Sequence, residues 1–253
     1  GLLQVYSGAP RVVTALTTPP DLDVDITYDG NSAAPVNAGS YAVTGVVNEA
    51  GYSGGATGIL VVQQAGAAVH LVDLDRVYHA TPQSVTATTE PAGLVVVVTY
   101  EGGSAPVPAG LYAVTATVNE LNYAGATDGV LRIARAVPSV LWTQPVAVAY
   151  GTVLGDNQLN ATSDVPGSFL YTPGSGALLP PGLAHPLSAR FDPEDAANYT
   201  STTASVLLDV HPTLEATAGV HGAISPSGWI VVPSGSNAEF VVQAQQYFYV
   251  VLV

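Results

Sequence analysis

Apolar and polar positions along the 253-residue chain follow the pattern of short β-strands rather than helices. Strand-like runs rich in β-branched and aromatic residues recur, as in Leu94-Val-Val-Val-Val-Thr-Tyr100, Tyr112-Ala-Val-Thr-Ala-Thr-Val118 and Ala204-Ser-Val-Leu-Leu-Asp-Val210. Turn residues separate these runs at short intervals, and no amphipathic helical stretch of useful length occurs. The pattern predicts an all-β fold: small Ig-like β-sandwich modules in tandem, forming an elongated array.

One sequence motif occurs twice along the chain. Its first copy includes Asn37-Ala-Gly-Ser-Tyr41-Ala-Val and Val47-Asn-Glu-Ala-Gly-Tyr52-Ser-Gly, and its second includes Pro108-Ala-Gly-Leu-Tyr112-Ala-Val and Val118-Asn-Glu-Leu-Asn-Tyr123-Ala-Gly. The interval from Tyr41 to Tyr112 is the same as the interval from Tyr52 to Tyr123. Self-similarity at a fixed period indicates an array of modules rather than a self-contained enzyme.

The repeat predicts four modules, over residues 1–66, 67–136, 137–210 and 211–253. The second opens with the apolar segment Ala67–Val72, which the first lacks, so we expect the first module to miss its opening strand. The third is diverged, with Tyr150 at the position that corresponds to Tyr78. The fourth is partial, and its strand pattern from Phe240 onward stops at Val253. We therefore expect the chain to be an excerpt from a larger protein.

The recurring tyrosines are predicted to be structural anchors. Gly39 and Gly110 would permit tight entry into a strand, on which Tyr41 and Tyr112 point to the core side. Each ring can then fill the end of a sandwich while its hydroxyl reaches backbone or water. Stacking of sugar rings is the functional alternative, and recurrence in each module favours the anchor.

The composition excludes several kinds of chemistry. Cysteine, methionine and lysine are absent, so there are no disulfides, thiol nucleophiles, Schiff bases or Lys–Asn isopeptide cross-links. Five arginines stand against 19 acidic residues, giving a formal net charge of −14. Such a surface repels nucleic acid and anionic membranes, so neither is an expected partner, and no apolar run is long enough for membrane insertion as a helix.

The repeated motif resembles the MBG repeats, the mostly-β, glycine-rich modules of large bacterial surface proteins. The resemblance covers residues 1–136. The third module is similar to the bacterial Ig-like repeats that commonly neighbour them, through Phe191-Asp-Pro-Glu-Asp-Ala-Ala-Asn-Tyr199, and the fourth resembles a further surface repeat. The resemblance implies an extracellular protein of the bacterial cell surface, an adhesin, filament or stalk, without catalytic residues.

Acidic residues are candidates for binding calcium, although no cofactor is required. Asp21, Asp23 and Asp25 would share one face of a strand, and Asp73 and Asp75 lie just past the first module junction. The alternative for the first group is a solvated edge strand whose charges oppose aggregation. A further acidic group, Asp192, Glu194 and Asp195, is interpreted as capping a turn.

No catalytic constellation is found. The five histidines form no metal-binding pair, and there is no Gly-x-Ser-x-Gly elbow. Trp229 follows the turn Ser225-Pro-Ser-Gly228 and is either a ligand contact or a core residue. We therefore expect a protein that is not an enzyme.

The function expected from these features is that of a structural stalk or spacer in a secreted surface adhesin or extracellular filament. Its partners would be neighbouring modules of the same chain, or copies of itself. Two alternatives remain open: an adhesin region that binds a host glycan or protein, and a subunit that donates a strand to an extracellular polymer.

Overall fold

The computed structural model of the chain describes residues 1–246, and this part contains strands, turns and loops but no helix. The predicted all-β class is confirmed. It also follows that no helix of these residues is a candidate for crossing a membrane.

The strands are β1 Leu3–Val5, β2 Val24–Tyr28, β3 Gly39–Val47, β4 Gly55–Gln63, β5 Ala65–Gly66, β6 Ala68–Val72, β7 Asp75–Val77, β8 Thr86–Glu90, β9 Val96–Tyr100, β10 Gly110–Val118, β11 Tyr123–Ala124, β12 Ala126–Ala134, β13 Val140–Leu141, β14 Val148–Ala149, β15 Thr162–Ser163, β16 Gly167–Thr172, β17 Gly182–Pro193, β18 Thr202–His211, β19 Thr213–Ala216, β20 Gly222–Ser225, β21 Gly228–Val231 and β22 Val241–Ala244.

The same four-stranded sheet is built three times. Its strand order is β1-β4-β3-β2 in the first module, β7-β12-β10-β9 in the second and β14-β18-β17-β16 in the third. In each sheet a short first strand runs parallel to the last, and the remaining pairs are antiparallel. The repeat in sequence is therefore also a repeat in topology, and it extends to the diverged third module.

A second, two-stranded sheet accompanies the large one in two of these modules. Strand β6 pairs with β8 in the second module, and β13 pairs with β15 in the third. Between the layers lie the cores, which centre on fully buried leucines: Leu131 in the second module, Leu187 and Leu208 in the third. Leu60 is the equivalent of Leu131 in the first module and is also fully buried.

Tyr41 and Tyr112 act as anchors, as predicted, whereas Tyr52 of the same motif is 50% exposed and is not a buried anchor. The hydroxyl groups of Tyr41 and Tyr112 each donate a hydrogen bond to a backbone carbonyl in the turn just upstream, over 2.9 Å. The hydroxyls of Tyr28 and Tyr100 instead accept hydrogen bonds from the backbone N–H groups of Val13 and Val85. Because these N–H groups belong to segments outside the large sheet, each hydroxyl ties such a segment to it.

The glycines before Tyr41 and Tyr112 have a different role from the one predicted. Neither has a positive φ, so backbone freedom does not explain them. A Cβ at Gly39 would lie 3.2 Å from the hydroxyl oxygen of Tyr41, and one at Gly110 would lie 3.1 Å from that of Tyr112. Each glycine therefore leaves room for a ring that folds back over it.

The chain divides into two compact units, Gly1–Ala134 and Arg135–Val253. The first contains both copies of the repeated motif. The second contains the third module and the two strand pairs β19–β21 and β20–β22. The strand pattern from Phe240 onward is described to residue 246, and its remainder lies outside the described residues. The division into four modules stays a prediction.

Replacing Leu131 with alanine is expected to destabilise the second module by about 2–5 kcal/mol, because the removed atoms lose their contacts and leave a cavity. Leu111 on strand β10 provides the matched control: it is 67% exposed, so Leu111→Ala should change stability by less than about 0.5 kcal/mol. Hydrogen exchange of the amides of β10 and β12 measures the opening free energy of this module alone. Equal effects of the two variants would contradict the assigned core.

Candidate functional site at the module joint

The linker between the first two modules is paired with the second module through its backbone. Strand β5, Ala65–Gly66, runs parallel to β11, Tyr123–Ala124. The N–H of Ala65 donates to the carbonyl of Asn122, and the N–H of Ala67 donates to the carbonyl of Ala124, both over 2.9 Å. The linker therefore forms part of a sheet instead of a free loop.

Polar side chains add to this pairing on both sides. The amide nitrogen of Gln64 lies 2.9 Å from the carbonyl oxygen of Glu120 and 3.2 Å from those of Leu121 and Tyr123. In the other direction, the side-chain carbonyl of Asn122 accepts the backbone N–H of Ala38 over 2.8 Å. Each module thus contributes a side chain that bonds to the backbone of its neighbour.

The Asn122 side chain uses its donor as well as its acceptor. Its amide nitrogen donates to the side-chain oxygen of Asn37 over 3.1 Å. Asn37 and Ala38 directly precede strand β3, so one asparagine of the second module connects to the turn that begins the repeated Ala-Gly-x-Tyr motif of the first.

An aromatic contact and a close backbone approach complete the joint. The rings of Tyr6 and Tyr123 meet edge to face, with centroids 5.4 Å apart and an interplanar angle of 78°, a favoured geometry for aromatic pairs. At Gly125 an added Cβ would overlap the carbonyl oxygen of Ala67. The glycine of the Tyr-x-Gly motif is therefore required for the linker to lie against the loop.

The lead-in to the third module repeats this pairing within the second compact unit. Ala136 forms a parallel bridge with Tyr199, its N–H donates to the carbonyl of Asn198 over 2.9 Å, and its own carbonyl accepts the N–H of Thr200. The guanidinium of Arg135 donates to the carbonyl of Ala196 over 3.2 Å, at the position where Gln64 bonds to Glu120. The segment that enters a module is held in the same way twice.

Sequence reasoning identified the tyrosines but missed Asn122 and Gln64. A signal for Asn122 was present, because Asn122-Tyr123 recurs as Asn198-Tyr199, whereas the first module has Gly51-Tyr52. Gln64 gave no such signal, since Arg135 takes its place before the third module.

The first group of calcium candidates lies at an edge of the first sheet. Asp21, Asp23 and Asp25 are all exposed, and Asp25 belongs to the edge strand β2. The side-chain amide of Asn48 donates to Asp25 over 2.8 Å, while the backbone N–H of Asp23 donates to Glu49 over 3.1 Å. The three residues do not share one strand, since Asp21 has a φ of 66° and lies in a turn.

The second group is engaged with arginines. Asp73 lies 3.4 Å from Arg76, and Asp75 lies 3.6 Å from Arg132. Exposed ion pairs of this kind contribute little to stability. Among residues 1–246, no three acidic or histidine side chains come close enough together to hold a metal ion.

The other sequence candidates occupy turns and an exposed strand. Asp195 accepts hydrogen bonds from the backbone and side-chain N–H groups of Asn198, which confirms that it caps a turn. Asp192 does not cap the turn: it belongs to strand β17, lies 2.9 Å from Arg190 and accepts the hydroxyl of Ser201. Trp229 is on strand β21 and is 71% exposed, so the core alternative for it is wrong.

We expect the melting temperature of the chain to be the same in calcium and in EDTA, because its acidic side chains are dispersed or paired with arginine. Scanning calorimetry in the two buffers measures this, with Asp23→Asn and Asp73→Asn as variants. A higher melting temperature in calcium that either substitution abolishes would show instead that the aspartates bind the ion.

Comparison with known proteins gives one family and several distant solved structures, two of which are described below. The model of the MBG domain matches residues 1–66 and again residues 67–137. Among solved structures, immunoglobulin domains 1–5 of Sidekick-1 share 12% identity over 76% of this chain, with a TM-score of 0.25. The S-layer protein rSbsC(31–844) shares 11% identity over 90% of this chain, with a TM-score of 0.22.

The chain spans 52% and 45% of the lengths of these two structures. A search of curated proteins finds no match. The two segments that match the MBG domain together make up more than half of the 253 residues and contain the whole of the joint described above. The chain therefore belongs to the MBG domain family.

Proposed function

We propose that this chain is a non-catalytic spacer of a secreted bacterial surface protein, in which repeated modules set the distance and direction between neighbouring parts. The observation that supports this function is the joint between the first two modules. Backbone pairing and Gln64 hold the linker against the second module, and Asn122 connects that module to the turn before β3 of the first. A tether between independent binding domains requires no such contacts, because a flexible linker serves it equally well.

The lead-in to the third module supports the same function. Ala136 and Asn198 repeat the backbone hydrogen bond of Ala65 and Asn122. When the chain enters each module in the same way, every added module lengthens the array by a similar amount, while each module keeps its own core.

The acidic surface is suited to an extracellular location. A net charge of −14 keeps the modules soluble and opposes association through like-charge repulsion. Because the chain has no cysteine, its stability depends on the buried leucine cores and on pairing between segments rather than on disulfides.

Distance measurements between spin labels test the spacer function directly. The chain has no cysteine of its own, so Ile59→Cys and Leu111→Cys, at positions 62% and 67% exposed, would place one label on each of the first two modules. We expect a narrow distance distribution that becomes broad in the variant Asn122→Ala/Tyr123→Ala, because the side-chain bonds and the ring contact of the joint are lost.

The matched control for this experiment is Asn119→Ala, which removes an exposed asparagine from the same loop. The narrow distribution should persist in this variant. A broad distribution in the unchanged joint would rule out a spacer of fixed length.

A second candidate function is ligand binding through Trp229, which is favoured by the exposure of its side chain on strand β21. Exposed tryptophan is a frequent contact for sugars and proteins. If the region binds a glycan, a glycan array should give a signal that Trp229→Ala removes and that Leu214→Ala, on the paired strand β19, retains. A signal unaffected by Trp229→Ala would exclude this residue as the contact.

A further inference from the structure

Strand β9 forms one edge of the large sheet in the second module. Among residues 1–246 it pairs with β10 alone. The backbone groups of successive residues point alternately to the two sides of a strand. The N–H of Asn119 donates to the carbonyl of Val95, so Val95 and Val97 direct their backbone groups toward β10. Val96 and Val98 therefore direct theirs away from the sheet, where no described strand meets them.

The free edge of β9 is longer than the corresponding edge of the first module. There the N–H of Tyr28, at the end of β2, donates to the carbonyl of Asn31 over 2.7 Å, and the N–H of Asn31 donates back to Tyr28. Among the residues that the structure describes, the second module makes one of these two bonds, from the N–H of Gly103 to the carbonyl of Tyr100. The N–H of Tyr100 therefore extends the free edge.

The three large sheets differ in what protects this edge. Each edge run ends at a tyrosine whose hydroxyl accepts a backbone N–H, and this bond aligns the three runs. They read Leu22-Asp-Val-Asp-Ile-Thr-Tyr28, Leu94-Val-Val-Val-Val-Thr-Tyr100 and Val165-Pro-Gly-Ser-Phe-Leu-Tyr171. Charged residues and proline on an edge strand oppose edge-to-edge pairing. The first run has two aspartates and the third a proline, whereas the second has neither.

The side chains on the outer face of β9 are uncharged. Val95 is 56% exposed and Val97 is 46% exposed, and Thr99 on the same face is also exposed. The residues of the first module at the positions of the two valines are Asp23 and Asp25. A chain with a net charge of −14 thus has an uncharged stripe beside one free backbone edge.

We propose that β9 pairs with β9 of a second copy of this chain, antiparallel, across a twofold axis at Val97. In this register Val96 of one copy lies opposite Val98 of the other, and the two exchange both of their backbone hydrogen bonds on each side of the axis. The N–H of Tyr100 adds a bond to the carbonyl of Leu94 at each end. Two four-stranded sheets thereby become one continuous sheet.

The side chains that this register brings together are compatible. Val97 faces its own copy in a pair without hydrogen bonds, with Cα atoms about 4.5 Å apart, and Val95 faces Thr99. The same register in the first module would place Asp25 opposite Asp25, and like charges directly opposite each other are destabilising. The geometry that β2 excludes through its charge is therefore open to β9.

The chemistry of the edge selects a second copy over other partners. A free backbone edge needs a partner that offers donors and acceptors at the strand repeat, which lipid chains and sugars do not offer. The free groups are arranged symmetrically about Val97, so a copy presents the matching set. Glu101, just beyond β9, would lie opposite Gly93 of the copy, and no acidic pair forms there.

The net charge determines how this pairing responds to salt. Two chains of charge −14 repel each other at long range, and dissolved ions screen this repulsion. The backbone bonds and valine contacts of the edge act at short range, so pairing strengthens as the salt concentration rises. The inference goes beyond the spacer function, because it joins separate chains through a strand outside the joint.

Sedimentation velocity of the whole chain over a series of protein concentrations measures the pairing. We expect a monomer–dimer equilibrium that shifts toward the dimer between about 0.15 M and about 0.5 M salt. Val97→Asp introduces the aspartate of the first module and should weaken dimerisation about tenfold or more, because the two charges meet at the axis. A chain that stays monomeric at every concentration in both buffers would overturn the proposal.

The matched control is Val130→Asp, which adds the same charge at a position 53% exposed on the outer face of the inner strand β12. Dimerisation should be unchanged in this variant. Hydrogen exchange of β10 and β12 should show that Val97→Asp is folded, since the first module holds Asp25 at this place in the same sheet. Equal weakening by both variants would assign the effect to charge in general and contradict pairing through the edge.

Cross-linking tests the register. The chain has no cysteine, so Val97→Cys introduces one thiol at the twofold axis, where the Cα separation of about 4.5 Å suits a disulfide. Mild oxidation should give a covalent dimer. Thr99→Cys faces Val95 of the copy instead of itself and should cross-link much less. Equal cross-linking of the two variants, or none with Val97→Cys, would rule out the twofold axis at Val97.

Discussion

Pairing of the linker backbone with the next module is the interaction on which the arrangement of the first two repeats depends. Ala65 and Ala67 donate their N–H groups to the carbonyls of Asn122 and Ala124, in the connection between β10 and β12 of the second module. Because both partners of each bond are backbone groups, the linker sequence can vary while its length cannot. A shift by one position would turn each linker side chain to the opposite face. Ala65 and Ala136 enter successive modules through the same backbone hydrogen bond, and the interval between them equals that between Tyr41 and Tyr112. The fixed length of the linker accounts for this equal spacing.

Features that depend on neighbours in sequence were predicted well. Strand β9 lies within the run predicted at residues 94–100, and β10 and β18 contain the runs at 112–118 and 204–210. The anchor role of Tyr41 and Tyr112 follows from the alternation of side chains along a strand and from a hydroxyl that must find a partner close by. Such features recur because each copy of the motif carries all the residues that it needs.

Features that depend on distant partners were not predicted. The parallel pairing of β1 with β4 joins the first and last strands of the module, and hydropathy does not specify such a partner. The role of Asn122 was not predicted for the same reason, because its hydrogen-bond partners Ala38 and Asn37 belong to another module. The glycine at 39 was expected to supply backbone freedom, although its role is to make room for the ring of Tyr41. The sequence alone does not show whether a glycine supplies backbone freedom or makes room for a neighbouring side chain.

The first two modules share one large sheet with the same anchoring bonds. The four-stranded sheet, the fully buried leucine and the bonds of the tyrosine hydroxyls are the same in both. A difference lies on one face, where Ala116 is buried and its counterpart Gly45 is half-exposed. The large sheet with its leucine and its tyrosine bonds is thus the part of the module that the repeated motif specifies in both copies.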